Sequence, residues 1–264
     1  MLYNLYRISD AGRVKEKIEG ATKINCLKNF ISVFGIAGLT VFADNCSQDT
    51  INEIKELGVE LILTSLGNSG SFKHIVDFAI THFTDHDQVY FVEDDYWHLP
   101  LAKQALLEGL QIADYVTLYN HPDKYTSYDA GGPNPFIKDN SEKGRIYLSK
   151  TCHWKTSNST TMTFATTVAV LKQDRQLMWK FIQEKIPDDF TMFLVLTKQL
   201  HFPLVKTKRF RKIFWRVLKN YLGKKKRTLI TALPGFSTHL ETAYLGPLTD
   251  WEGIILQTQE SQLI

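Results

Sequence analysis

Two rhythms of apolar and polar positions alternate along this chain. Leu2–Ile8 is a short, nearly continuous apolar run that reads as a first strand, ending at Arg7, Ser9 and Asp10. A polar stretch, Gly12–Thr22, follows as a loop. Cys26–Val33 then repeats its apolar residues at helical spacing, with Asn25 as a candidate cap. Gly38–Ala43 predicts a second strand closed by Asp44 and Asn45, Ser47–Leu57 a helix, and Val59–Thr64 a third strand. Gly67–Ser71 is a turn of small residues leading into a helix over Phe72–Phe83. Val89–Val92 is a fourth strand, apolar on both faces, and it runs directly into Glu93, Asp94 and Asp95.

Beyond the acids the pattern turns helical from Tyr96 to about Leu110, with the regular part at Leu99–Ile112, and Tyr115–Tyr119 predicts another strand. Asn120–Gly144 is rich in Asp, Gly, Pro and Asn and too long for a simple connection, which marks a binding loop or lid. Ile146–Ser149 and Thr160–Ala165 predict strands, Val168–Glu184 a helix, and Pro187 opens another to about Gln199. Strand and helix alternate at the spacing of βαβ units. The expectation is therefore an α/β fold, a mainly parallel central sheet flanked by helices in one domain over 1–264. Right-handed crossovers place the strand ends on one edge, so Arg7–Ser9, Asp44–Asn45, Asn68–Ser71 and Glu93–Asp95 should line one crevice.

Composition changes this picture little: 264 residues, 44% hydrophobic and 22% charged, are ordinary for a globular protein. No apolar run has the length of a membrane span, and no basic leader precedes a long apolar stretch, so a secretory signal is not expected. Cys26, Cys46 and Cys152 have no metal-like spacing and read as reduced thiols of a cytoplasmic protein.

Charge changes it more. Between Lys206 and Arg227 stand seven Lys, four Arg and no acid; without those eleven, 20 of the 31 basic residues face 28 acids, a balance of −8. Within this stretch Phe210, Ile213, Phe214, Val217, Leu218, Tyr221 and Leu222 share one helix face. A basic amphipathic segment with aromatic residues reads as a contact for an anionic membrane surface. Its bland alternative is a surface helix packing on its own domain. No nucleic-acid reader motif is present, and nucleic acid is not an expected partner.

The candidate chemistry begins at Glu93-Asp94-Asp95. Like charges at a strand end need a cation or a basic partner, and hard ions such as Mg²⁺ or Mn²⁺ take carboxylate oxygens while keeping places for substrate phosphates. The bland alternative is a helix N-cap. Asp44 suits either a ribose contact or a turn, and Gly67–Ser71 can approach a phosphate but lacks both the P-loop and the dinucleotide-fold glycine patterns. Asp188 and Asp189 sit at a helix start, where capping is ordinary and a general base is possible. His239 lies in a polar turn and can complete a carboxylate metal site.

Together these residues resemble glycosyltransferases of the GT-A fold. In that resemblance the acid at the end of the fourth strand holds Mn²⁺ or Mg²⁺ against the donor diphosphate. It implies Asp95, Glu93 and His239 as metal ligands, Arg7, Ser9, Asp44, Gly70, Ser71 and Asp94 as donor-binding residues, and Asp189 or Asp188 as the catalytic base of an inverting transfer. Tyr-Phe-Val-Glu-Asp-Asp-Tyr, Tyr-Asn-His-Pro-Asp-Lys-Tyr and Asn-Ser-Thr-Thr-Met-Thr-Phe are similar to segments of small bacterial and viral glycosyltransferases, over roughly 1–200 and 233–251. Residues 1–98 would form the donor half, and 99–200 with 228–264 the acceptor half. The implied donor is a nucleoside-diphosphate sugar, a UDP-sugar being the commonest kind. The implied acceptor is a glycan or lipid-linked saccharide of surface polysaccharide synthesis, met at the inner face of the cell membrane. The Glu-Asp-Asp form leaves the ligating pair open. Competing readings are a nucleotidyltransferase on a related sheet and a non-catalytic, membrane-associated binding protein.

Overall fold

The computed structural model describes residues 1–12, 16–198, 215 and 225–262. Its strands are β1 (Leu2–Ile8), β2 (Leu39–Asp44), β3 (Glu60–Thr64), β4 (Gln88–Glu93), β5 (Tyr96–His98), β6 (Tyr115–Thr117), β7 (Ile146–Leu148), β8 (His153–Thr156), β9 (Phe164–Thr167), β10 (Leu229–Leu233) and β11 (Ser237–His239). The helices are α1 (Lys23–Phe34), α2 (Gln48–Glu56), α3 (Gly67–His82), α4 (Ala102–Gly109), α5 (Val168–Phe181), α6 (Asp189–Thr197) and α7 (Trp251–Gln262). Among the described residues nine strands form one sheet in the order β3-β2-β1-β4-β9-β6-β10-β8-β7. β8 and β9 run against the other seven, and β3-β2-β1-β4 is parallel throughout. The expected α/β architecture with a mainly parallel sheet is the one observed.

The strands read as continuous apolar runs because the sheet is covered on both faces. Successive residues face opposite sides, so Leu5, Phe42 and Phe91 meet Phe72, Ile75 and Val76 of α3 and Leu171 and Met178 of α5. Their neighbours Tyr6, Val41 and Tyr90 meet Leu27, Phe30 and Phe34 of α1 and Leu106 of α4. A smaller third cluster joins Cys26, Trp97 and Leu240 to Trp251 and Ile255 of α7.

Several boundaries differ from the sequence expectation. Helix α1 starts three residues before Cys26, and Thr22, not Asn25, caps it by accepting from Asn25 N. Gly67–Ser71 is the first turn of α3 and not a loop before it, because Asp44 Oδ1 accepts from Leu66 N (2.6 Å) and Asp44 Oδ2 from Gly67 N (2.9 Å) at that end. Tyr96–His98 is not helical: it pairs antiparallel with β11, joining His239 to Tyr96 in register. β8, β10 and α7 had no counterpart in the apolar pattern. β10 is held by β6 and β8, and α7 by its Trp251 and Ile255.

Most of 206–227 lies outside the described residues. Trp215 is helical and exposed, and at the far end Arg227 is buried, its guanidinium paired with Asp174 (2.7 Å) and Asp114 (3.2 Å). Arg227 N also donates to Leu196 O (2.8 Å), so this last cation belongs to the core of the domain.

Candidate active site

The carboxyl ends of β1, β2 and β4 converge as the parallel topology requires. They open on a cleft of about 850 Å³ lined by Arg7, Ser9, Asp44, Gly67–Ser71 and Glu93–Asp95. Lys17, Lys23 and Lys73 line the same cleft, and Ile182–Ile186, between α5 and α6, form its opposite wall. Ser69 Oγ donates to Glu184 O (2.5 Å) and ties that wall to α3.

Each acid of the triplet has its own basic partner. Glu93 Oε1 accepts from Arg7 Nη2 (2.6 Å), and the same guanidinium donates to Asn68 O (2.7 Å), Asn68 Oδ1 (2.6 Å) and, more weakly, Ser71 Oγ (3.4 Å). Asp94 Oδ2 accepts from Ser9 N (2.9 Å) with Lys23 Nζ at 3.6 Å, while Lys23 also donates to Ser9 O. Burial and the neighbouring Asp95 charge push the Asp94 carboxyl up to about 6. Asp95 Oδ2 lies 3.0 Å from His239 Nε2, a contact made by the β5–β11 pairing. None of the three caps a helix, since β5 follows them.

The remaining sequence candidates divide. Asp44 is buried, and its carboxylate accepts from Thr64 Oγ1, Leu66 N, Gly67 N and Asn45 Nδ2, so it fixes the N-terminus of α3 at the cleft floor. Gly70 and the buried Ser71 lie on α3 at the cleft, Ser71 donating to Asn68 O (3.1 Å). Asp188 caps α6 by accepting from Thr191 N (3.2 Å). Asp189, half-buried at the start of α6, accepts from Phe190 N (2.6 Å). Desolvation and then the Glu93 charge push its carboxyl up to about 7, with Lys124 pulling the other way. Asp188 and Asp189 are not among the residues lining the cleft.

Whether these residues suit a divalent cation is a matter of donor chemistry. Among the described residues no group of three His, Cys, Asp or Glu side chains forms a ready-made metal site. Mg²⁺ and Mn²⁺ do not require one, because such ions are commonly held by one or two protein ligands plus substrate phosphates and water. Asp95 and His239 fit that role, whereas Glu93 is engaged by Arg7 and Thr163. Glu241 N donates to His239 Nδ1 (3.2 Å), which leaves the ring proton on Nε2 facing Asp95. A cation at Nε2 therefore requires the proton to move to Nδ1 and the Glu241 contact to open.

Sequence reasoning missed Lys17, Lys23 and Lys73, Thr163 and the Ile182–Ile186 wall. Lys17 lies in the polar loop after β1 and Lys23 opens α1, but nothing in their spacing distinguishes a cleft lysine from a solvated one. The long loop holds another omission: Lys124 is 3% exposed, its Nζ donating to Asn158 Oδ1 (2.8 Å) and Ser159 Oγ (2.6 Å). This contact joins two of the three segments that carried the family resemblance, and Thr163 Oγ1, donating to Glu93 Oε2 (3.5 Å), ties in the third.

No family model matches the chain, and no curated protein matches it. Among solved structures, CMP:2-keto-3-deoxy-manno-octonic acid synthetase complexed with CTP is similar at 12% identity and TM-score 0.47, over 98% of this chain and 99% of that one. S. aureus TarS 1–349 in complex with UDP is similar at 14% identity and TM-score 0.38, over 87% of this chain and 60% of that one. A cytidylyltransferase from Leptospira borgpetersenii serovar Hardjo-bovis is similar at 11% identity and TM-score 0.36, over 85% of this chain and 98% of that one. At such identities and scores, what the cleft does is left to its own residues.

Proposed function

We propose that the chain is a metal-dependent, inverting glycosyltransferase that moves a sugar from a nucleoside-diphosphate donor to a saccharide hydroxyl. The observation that carries this reading is the arrangement about Glu93-Asp94-Asp95. A cation-lined cleft lies on one side, and Asp189, a carboxyl near neutrality, lies within electrostatic reach of Glu93.

In this reading the donor nucleotide, a UDP-sugar being the commonest kind, enters along β1, β2 and α3, where Arg7, Lys23 and Ser9 meet its diphosphate. A divalent cation, Mn²⁺ or Mg²⁺, supplies Lewis-acid neutralisation of the departing diphosphate. Asp95 and His239 would hold it. Asp94, tied to Ser9 N, keeps the end of β1 against the end of β4, and Glu93 braces Arg7 toward the cleft. Asp189 takes the acceptor's hydroxyl proton, for which a carboxyl near pH 7 is well matched. Asp188 supports it as the cap of α6. Displacement with such a base inverts the anomeric centre.

The acceptor is a glycan or lipid-linked saccharide of surface polysaccharide synthesis, met at the cytoplasmic face of a membrane. The support is the composition of 206–226, ten cations without an acid once the buried Arg227 is set apart. Among the described residues no helix is long and apolar enough to cross a membrane.

One observation favours a second reading, a nucleotidyltransferase. Gly12, Lys17 and Lys23 line the cleft directly after β1, where such an enzyme would neutralise a triphosphate. Incubating the protein with nucleotide sugars, and separately with nucleoside triphosphates plus sugar 1-phosphates, with and without Mn²⁺, decides between them. Nucleoside diphosphate and free or transferred sugar, with an inverted anomeric centre by NMR, is the result expected. Pyrophosphate release from the second mixture would replace the first reading with the second.

A further inference from the structure

Beyond Asp95 the molecule carries a closed circuit of aromatic rings. His239 contacts Tyr244 (centroids 6.4 Å apart), Tyr244 contacts His121 (5.6 Å), and His121 contacts Tyr119 (5.1 Å). Tyr119 then contacts Tyr96 (5.5 Å), which returns to His239 (5.4 Å). The circuit has an inside and an outside. Tyr96 and Tyr119 are buried at its base, and the Tyr119 hydroxyl donates to Tyr244 O, holding the outer residue in place. Tyr244 is 39% exposed, and the His121 side chain is partly open beside it.

We propose that the outer edge of this belt, Tyr244 with His121, is a platform on which the acceptor saccharide stacks, and that it selects neutral sugars. Rigid, amphipathic rings are suited to the apolar C–H face of a pyranose, with polar groups at the rim for its hydroxyls. Three observations favour this occupant. The belt begins at His239, so a sugar stacked on it lies next to the Asp95–His239 pair. No belt residue lines the donor cleft, so the platform does not compete with the nucleotide. Carboxylates predominate around the belt: Asp123 lies 2.9 Å from His121, Asp95 3.0 Å from His239, and both add with Glu241 to the burial that pushes the Tyr119 hydroxyl far up, with Lys124 as a counter-charge 3.8 Å from Asp123. Such surroundings disfavour uronic acids and phosphorylated sugars. The assignment rests on the glycosyl-transfer reading for its role, though not for the binding itself.

Saturation-transfer NMR on the full chain separates these two. The probes are the methyl glycosides of glucose, galactose, N-acetylglucosamine and rhamnose, with methyl glucuronide as the anionic comparison. Wild type should show transfer to ring C–H protons of at least one neutral glycoside, and Y244A should weaken it about tenfold while Y244F and Y244W retain it. Calorimetric binding of nucleoside diphosphates should be the same in all four proteins and also reports that each is folded. Undiminished transfer in Y244A, or none from any neutral glycoside to wild type, overturns the platform. Glucuronide transfer as strong as the neutral signal overturns the selectivity. Tyr244-dependent sugar signals from a protein that binds no nucleotide would instead sink the donor reading and leave the platform standing.

Discussion

Asp189 shows how one residue's surroundings set its chemistry. Its carboxyl is pushed up to about 7 by desolvation and by Glu93, whereas Asp188 beside it serves as an ordinary cap. If Asp189 is the base, turnover should rise with pH through about 7, and Asp189→Asn should lower it roughly 10²–10⁴-fold with donor binding intact. Stability should move the other way. A carboxyl raised in the fold favours the folded state while protonated, and that advantage is lost as pH rises from the unfolded value near 4 through about 7. Thermal melts should therefore show Asp189→Asn gaining on wild type over that interval, with a constant difference above it. A pH-independent difference would mean that Asp189 ionises normally. The family resemblance already put Asp189 ahead of Asp188 in the sequence; the cap hydrogen bond of Asp188 and the Glu93 charge on Asp189, which no sequence pattern carries, favour the same order.

At the scale of elements, the parallel half was the most legible, because β1 to β4 and α1 to α3 are local βαβ units whose apolar periods are uninterrupted. The crevice followed from that topology, and its expected residues line one cleft except Ile8 and Asn45. Pairings between distant segments were not legible. Tyr96–His98 reads as helical in isolation and becomes a strand only because Ser237–His239 lies alongside. The same pairing carries His239 to Asp95, so a proline at Thr238 should separate them and abolish metal-dependent nucleotide binding, as read by calorimetry. Retained binding would show that the ladder does not position the site. Arg227 was read as one more cation of a basic run, but it is buried against Asp174. Arg227→Met should leave that carboxylate uncompensated and destabilise the protein by about 3–5 kcal/mol in chemical denaturation. A loss below about 1 kcal/mol, the usual value of a surface pair, would contradict the buried clamp.

For the whole molecule, an acidic body and a concentrated basic stretch imply that location and catalysis are separable. Each Lys or Arg near an anionic bilayer contributes on the order of 1 kcal/mol, so 206–226 should bring the protein down with anionic vesicles at low salt and release it as salt rises. Phe214→Glu/Leu218→Glu should weaken this sedimentation without changing nucleotide binding. Equal binding to neutral vesicles would remove the electrostatic part, and no binding by wild type would return the stretch to the protein's own surface. The central claim is that the cleft beside Glu93-Asp94-Asp95 binds a nucleoside diphosphate through a divalent cation held by Asp95 and His239. Calorimetric titration of wild type and Asp95→Asn with UDP, GDP and CDP, in Mn²⁺ and then in excess chelator, tests it most directly. The account predicts that wild type binds at least one of them in Mn²⁺, and that chelation and Asp95→Asn each abolish this binding in a protein that remains folded. Binding that survives both, or no binding of any of the three by wild type in Mn²⁺, would contradict it.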